Sequence, residues 1–269
     1  MPDPSIFTSV ITSYLPEPHA SLMGGILFGV DLKTSQNFYY AIKVTGLLHI
    51  VVLSGINITL LGALVGIFTK SLGRKLSATI TIFTIVIFVM FVGPDPPITR
   101  AAIMGVLTLI AVVFERKTLA LYSLFLSGLF IAIFKFEWIE TVSFQLSFGA
   151  TLGIMLFGNV PKREVRGLIA SSIYYLEQEL RPTLAAQIFT TPIIFWYFRE
   201  ISLVAPVANI VVSFAIPPLM VFGLLTAMLG KIHFVLGLIP AYISYGLLHY
   251  IITSIYAMAG LPYIFFDLN

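Results

Sequence analysis

The residues of this chain that could do chemistry are polar side chains set inside apolar runs. His49, Ser54, Asn57 and Thr59 lie in TGLLHIVVLSGINITLL, and Arg100 lies in GPDPPITRAAIMGVL. Gln145 and Ser147 lie in FQLSFGATLG, Gln187 in LAAQIFTTP and Asn209 in VAPVANIVVSFAIPP. Amides, hydroxyls, an imidazole and a guanidinium can hydrogen-bond a polar ligand, but they offer little covalent chemistry. There is no H-E-x-x-H, and His19, His49, His233 and His249 have no metal-ligand spacing among them. Ser54-Gly55 lacks the glycine two residues before the serine that a nucleophile elbow needs. Walker A and dinucleotide fingerprints are missing, and there is no cysteine. The sequence therefore argues against an enzyme or an ATPase, and no metal or cofactor is expected.

Each polar group has a plain structural reading beside the functional one. An arginine at the centre of a membrane span costs roughly 2.5–3.5 kcal/mol on insertion scales. Near a helix end, snorkelling reduces that cost. Arg100 is either a helix-end anchor or partner of Asp95, or a cation facing an aqueous path. His49 and Asn57 are eight residues apart and share a face only if Ser54-Gly55 leaves the helix continuous. Gln145, Gln187 and Asn209 read singly as interhelical clamps. Taken together, polar groups on five separate apolar stretches suggest a lined interior. The 23 Phe and 12 Tyr read mostly as lipid-facing and interfacial-belt residues rather than base-stacking platforms.

Composition says what must position these groups. Of the 269 residues, 58% are hydrophobic and 10% charged, against roughly 25% charged in soluble domains. Eight apolar stretches approach the length needed to cross a ~30 Å hydrocarbon core. They are 46–69, 77–92, 98–114, 119–134, 142–157, 183–198, 201–230 and 233–261. The expectation is an all-α, polytopic transmembrane helix bundle of about eight spans with broken or re-entrant helices. Residues 1–37 read as an N-terminal amphipathic or interfacial segment, in which the stretch 22–30 is too short to span. Residues 38–269 read as the transmembrane domain. The first twenty residues lack a signal peptide's basic region, and the opening suggests a fragment of a longer protein.

Cations predict the orientation. Lys70, Arg74 and Lys75, then Arg116 and Lys117, then Lys162, Arg163 and Arg166, then Lys231 follow alternate stretches. Arg181 joins that side through a polar surface helix over 171–181. The opposite loops hold only Lys135 and Arg199 beside Glu137, Glu140 and Glu200. The positive-inside rule places the first set in the cytoplasm and both termini outside. Thr45-Gly46, Ser54-Gly55 and the trio Pro206, Pro217 and Pro218 predict broken helices. Such breaks are tolerable in a membrane only where protein or water satisfies the freed backbone groups.

The same polar segments resemble the competence domain of the ComEC family, inner-membrane proteins that admit transforming DNA in competent bacteria. The likeness runs through His49, Ser54, Gly55 and Asn57, then Pro97, Arg100, Ala101 and Met104. It continues through Phe144, Gln145, Leu146, Ser147 and Gly153, and ends with Gln187, Pro192, Phe198, Ser202, Pro206, Asn209 and Pro217. Four ordered motifs thus cover roughly residues 15–262. The resemblance implies a channel for single-stranded DNA with His49, Ser54, Asn57, Arg100, Gln145, Ser147, Gln187 and Asn209 along the path. Its implied partners are the lipid bilayer, single-stranded DNA and a cytoplasmic motor ATPase. Relatives generally add external OB-like and metallo-β-lactamase-like domains, and this chain has room for neither and no H-x-H-x-D-H cluster. The alternatives are a small-solute permease with a midplane site at broken helices, an intramembrane enzyme, and a scaffold.

Overall fold

The structure is a computed structural model that describes residues 4–51, 55–117, 119–161, 163, 167–261 and 265–267. Lys162 and Arg166, two cations of the orientation argument, and Ser54 lie outside the described residues. The chain is an all-α bundle, as its apolar runs predict, with a two-stranded clasp at one end. Large apolar side chains cover its outside: Phe68 is 80% exposed, Ile239 74% and Met90 72%. A protein surrounded by water rarely shows so much apolar surface, whereas lipid is a good solvent for it.

The N-terminal segment forms α1 (Ser5–Tyr14) and α2 (His19–Phe28), two ten-residue helices that turn back on one another. Nine of the ten residues of α2 are buried, which suits a helix that is apolar all round. Gly29 ends it in the left-handed conformation at φ 67°, the usual glycine stop. Tyr14 Oη donates to the Phe234 carbonyl at 2.6 Å, tying the tip of this hairpin to the start of the last helix. Residues 1–37 therefore contribute Ile11, Leu22, Met23 and Ile26 to the main core.

Next come α3 (Gln36–Val44), capped by Ser35, and the one-turn α4 (Leu48–Val51). Helix α5 (Gly55–Thr69) follows; the break expected at Ser54-Gly55 borders residues 52–54, which lie outside the described residues. Between α3 and α4 the chain turns at Gly46, φ +71°, a conformation that L side chains rarely adopt. Helices α6 (Arg74–Val92) and α7 (Pro96–Val113) pack with α5 around Ile58, Ile85, Ile98 and Ala102. Pro96 and Pro97 sit in the first turn of α7, where a missing N–H costs nothing.

Helix α8 (Ala120–Phe134) is followed by α9 (Val142–Phe157), whose N-terminus is capped by Thr141. Helix α10 (Leu168–Phe198) then runs for 31 residues, about 46 Å at 1.5 Å per residue. This corrects the expectation of a surface helix over 171–181 separate from a span at 183–198. Pro182 lies inside one continuous helix. A proline removes a single i→i−4 bond, and close packing along α9 holds the rest.

Strand β1 (Glu200–Ser202) pairs antiparallel with β2 (Phe265–Asp267), Ile201 facing Phe266. The stretch 201–230 divides into α11 (Ala205–Ser213) and α12 (Ile216–Ile232), bent by 50°. Their prolines occupy first turns, as the sequence demands of a broken helix. Helix α13 (Phe234–Ala259) packs back along α12.

Among the described residues, four helices are long and apolar enough to cross a membrane: α5 with its short extension, α6, α7 and α13. The bent α11–α12 pair makes a possible fifth. The other expected spans fall on α8 and α9, apolar but only 15 and 16 residues long, and on α10, whose first half carries charges.

Candidate functional site

Two ion pairs show which loops share an end. Lys75 Nζ lies 3.3 Å from Glu115 Oε1, so the α5–α6 turn and the α7–α8 turn are neighbours. Lys43 Nζ lies 2.6 Å from Glu200 Oε1, joining the end of α3 to β1. Because β2 pairs with β1, the C-terminal strand is on this second end with the C-terminus of α10.

The turn at Gly46 positions the first polar cluster. A Cβ on Gly46 would come within 2.6 Å of Ala205 Cβ, so only glycine lets the α3–α4 turn approach the start of α11. Ser202 Oγ donates to the Val44 carbonyl at 2.6 Å and holds the same approach from the β1 side. One turn on, His49 Nδ1 lies 3.0 Å from the Gly46 carbonyl, which requires that nitrogen to carry the proton. The Asn209 side chain lies near the ring. Asn209 Nδ2 donates to Thr183 Oγ1 at 3.0 Å, and Thr183 Oγ1 passes its own proton to the Glu179 carbonyl at 2.9 Å. Asn209 and Thr183 thus tie α11 to α10, with His49 of α4 beside Asn209. The His49 side chain is exposed.

Arg100 anchors the second cluster. It sits in the second turn of α7 and donates through Nη1 to Thr151 Oγ1 on α9. Thr151 Oγ1 in turn donates to the Ser147 carbonyl at 2.8 Å. Nη2 lies against Gly55, where a Cβ would come within 2.9 Å of it. Arg100 Nε is buried with no hydrogen-bond partner among the described residues, and so are Thr99 Oγ1 and Ser147 Oγ. No carboxylate pairs with Arg100 among the described residues, and Asp95 is exposed at the helix start. Buried charges are normally paired. A half-buried guanidinium with its Nε unengaged is a ready receiver for an anionic oxygen.

The remaining expected site residues lie apart. Asn57 is buried and donates through Nδ2 to the Ile26 carbonyl at 2.7 Å, clamping α5 to α2. Gln145 Nε2 reaches back 3.5 Å to the Ile139 carbonyl, beside the start of its own helix. Gln187 borders a groove along α10 together with Arg181 and Leu184. A second cleft opens at the α5–α6 turn. Neither cleft is lined by His49, Asn209, Arg100 or Thr151. The structure therefore brings together His49 with Asn209, and Arg100 with the Ser147 turn. It leaves Asn57, Gln145 and Gln187 on separate contacts.

Sequence reasoning passed over Thr151 and Thr183, the partners on which both clusters turn. Thr151 stands four residues after Ser147, on the same helix face, and that spacing was the available signal. Thr183 follows Pro182 and lies four residues before Gln187, an equally quiet one.

Comparisons with known proteins agree with this placement in a membrane. The family model described as Competence protein matches residues 26–269. The chain is similar to ComE operon protein 3 of Bacillus subtilis (strain 168), at 22% identity over 236 residues. That alignment takes in 84% of this chain and 29% of the relative, so the chain spans under a third of that protein's length. No solved structure matches.

Proposed function

The chain belongs to the competence protein family, and from that premise we propose that it conducts single-stranded DNA inward across the cytoplasmic membrane during natural transformation. The observation that carries the reading is Arg100. A guanidinium without a carboxylate partner among the described residues, and with its Nε unengaged, suits transient contact with phosphate oxygens. A permanent salt bridge would hold no such capacity. His49 and the Asn209–Thr183 pair supply further donors and acceptors, and broken helices at Gly46 and at the α11–α12 bend supply the irregular backbone that a polar path tolerates.

Conduction asks this chain for no bond-making. Each phosphate moving into a cell that is negative inside climbs about 2.3 kcal/mol per 100 mV. A passive opening would favour exit, so a cytoplasmic motor ATPase must draw the strand in. The cations of the α5–α6 and α7–α8 turns, held at one end by the Lys75–Glu115 pair, stand on the cytoplasmic side in this account. The β1–β2 clasp, at the other end, stands on the outer side in this account.

The test is transformation frequency in the full-length protein, normalised to the amount folded in the membrane. Arg100→Ala is expected to lower it roughly 10- to 100-fold, the scale of one to two lost charge-assisted hydrogen bonds. Arg100→Lys keeps the charge and most of the function. Unchanged transformation in the alanine variant refutes the reading, and equal loss in both variants assigns Arg100 to a bidentate clamp instead.

A further inference from the structure

The cleft at the α5–α6 turn has no part in the conduit. It lies between α5, α6 and α7 and encloses about 340 Å³. Gly62 and Gly66 line it on one face of α5, with Leu109 and Val112 of α7 opposite. Lys70 and Arg74 stand at its mouth.

Glycines in membrane helices usually let a neighbouring backbone approach, and Gly153 does so here: a Cβ there would run into the Ala185 carbonyl of α10. Gly62 and Gly66 behave differently. A Cβ at Gly66 would meet nothing within 4 Å, and one at Gly62 only Thr81 Cγ2 at 3.6 Å. No neighbour needs the room these two glycines leave. The slot opens to the outside of the bundle, so an apolar chain that enters it gains dispersion contacts along its walls.

The mouth says what enters. Lys70 and Arg74 are exposed, and neither has an ion-pair partner among the described residues, whereas adjacent Lys75 is paired with Glu115. Two unpaired cations above an apolar slot, at the end of a membrane-crossing helix, match the two halves of a phospholipid. Basic pockets between helices at a membrane face are a known type of anionic headgroup site. We propose that this cleft binds an anionic phospholipid, its phosphate between Lys70 and Arg74 and an acyl chain along Gly66 and Gly62. Inorganic phosphate satisfies only the mouth, and a neutral lipid only the slot.

The test uses the purified protein in detergent micelles, with thermal unfolding followed as phosphatidylglycerol, phosphatidylcholine or inorganic phosphate is titrated. Phosphatidylglycerol is expected to raise the unfolding midpoint saturably, and the other two to leave it unmoved. Replacing both cations, Lys70→Gln with Arg74→Gln, should raise the phosphatidylglycerol needed for half the effect about 30-fold. Gly66→Leu places a side chain in the slot, its Cβ meeting nothing within 4 Å, and should abolish the saturable shift. An undiminished shift in Gly66→Leu overturns the proposal, and so does an equal shift with phosphatidylcholine or with inorganic phosphate. Where Gly66→Leu does not accumulate, an unchanged phosphatidylglycerol requirement in the double charge variant overturns it alone. DNA uptake is not read in this assay, so its failure leaves the conduit reading standing.

Discussion

Substituting Gly46 by alanine tests the turn that sets His49 against Asn209. Two separate costs follow from the structure. The residue sits at φ +71°, where a Cβ costs roughly 1–2 kcal/mol. The added methyl also falls within 2.6 Å of Ala205 Cβ and 3.4 Å of Ser202 Oγ, and overpacking of that kind costs roughly 1–3 kcal/mol. Gly46→Ala should therefore destabilise the protein by roughly 2–5 kcal/mol, the sum of these two contributions. Ala205→Gly alone removes a helix-favouring residue at the start of α11 and should cost about 1 kcal/mol or less. Combined, the pair should be less damaging than the sum, because the methyl clash is gone while the φ cost remains. Reversible unfolding in mixed detergent micelles, run on all four proteins as a double-mutant cycle, reads each contribution. Additive effects, or a Gly46→Ala protein within about 0.5 kcal/mol of the parent, would falsify the close approach of α3–α4 to α11.

Other consequences follow from single contacts. Asn57→Ala leaves the buried Ile26 carbonyl without its donor and should cost about 1–3 kcal/mol in the same unfolding assay; a neutral result removes the α2–α5 clamp. Gly153→Ala pushes a methyl into the Ala185 carbonyl and should destabilise the α9–α10 pair by at least about 1–3 kcal/mol. Gly66→Ala, by contrast, should be neutral or stabilising, and the opposite order of the two would reject the packing described. A cysteine at position 74 should resist an impermeant reagent added outside intact cells, and ready labelling would reverse the proposed orientation.

Much of this fold is legible as apolar length and as glycine or proline punctuation. Helices α6, α7, α9 and α13 begin and end close to where their apolar runs do. The breaks at Gly46 and at Pro217-Pro218 follow from backbone rules alone. Helix α10 is harder, because SSIYYLEQELRP reads as a polar surface piece closed by proline, and only the neighbouring α9 carries the helix through Pro182. The α1–α2 hairpin is concealed for the opposite reason: ten-residue helices are too short to span, and nothing local tells that α12 and α13 bury them. At the site, polarity inside apolar runs singles out His49, Asn209 and Arg100. Which of them meet is a tertiary matter. Thr151 and Thr183 bond the carbonyls four residues back, the habit of any helical threonine, so nothing in the sequence marks them as partners.

The central claim is that the transported strand passes the Arg100 cluster within the bundle. Photo-crosslinking tests it most directly, with a photoreactive side chain at position 147, one turn before Thr151, the partner of Arg100, in cells taking up labelled DNA. A matching probe goes at position 83, where Phe83 is 67% exposed on the outer face. The account predicts single-stranded DNA captured at 147 while uptake is under way, and none at 83. Capture at 83 as strong as at 147, or none at 147 in cells that are still transforming, would contradict it.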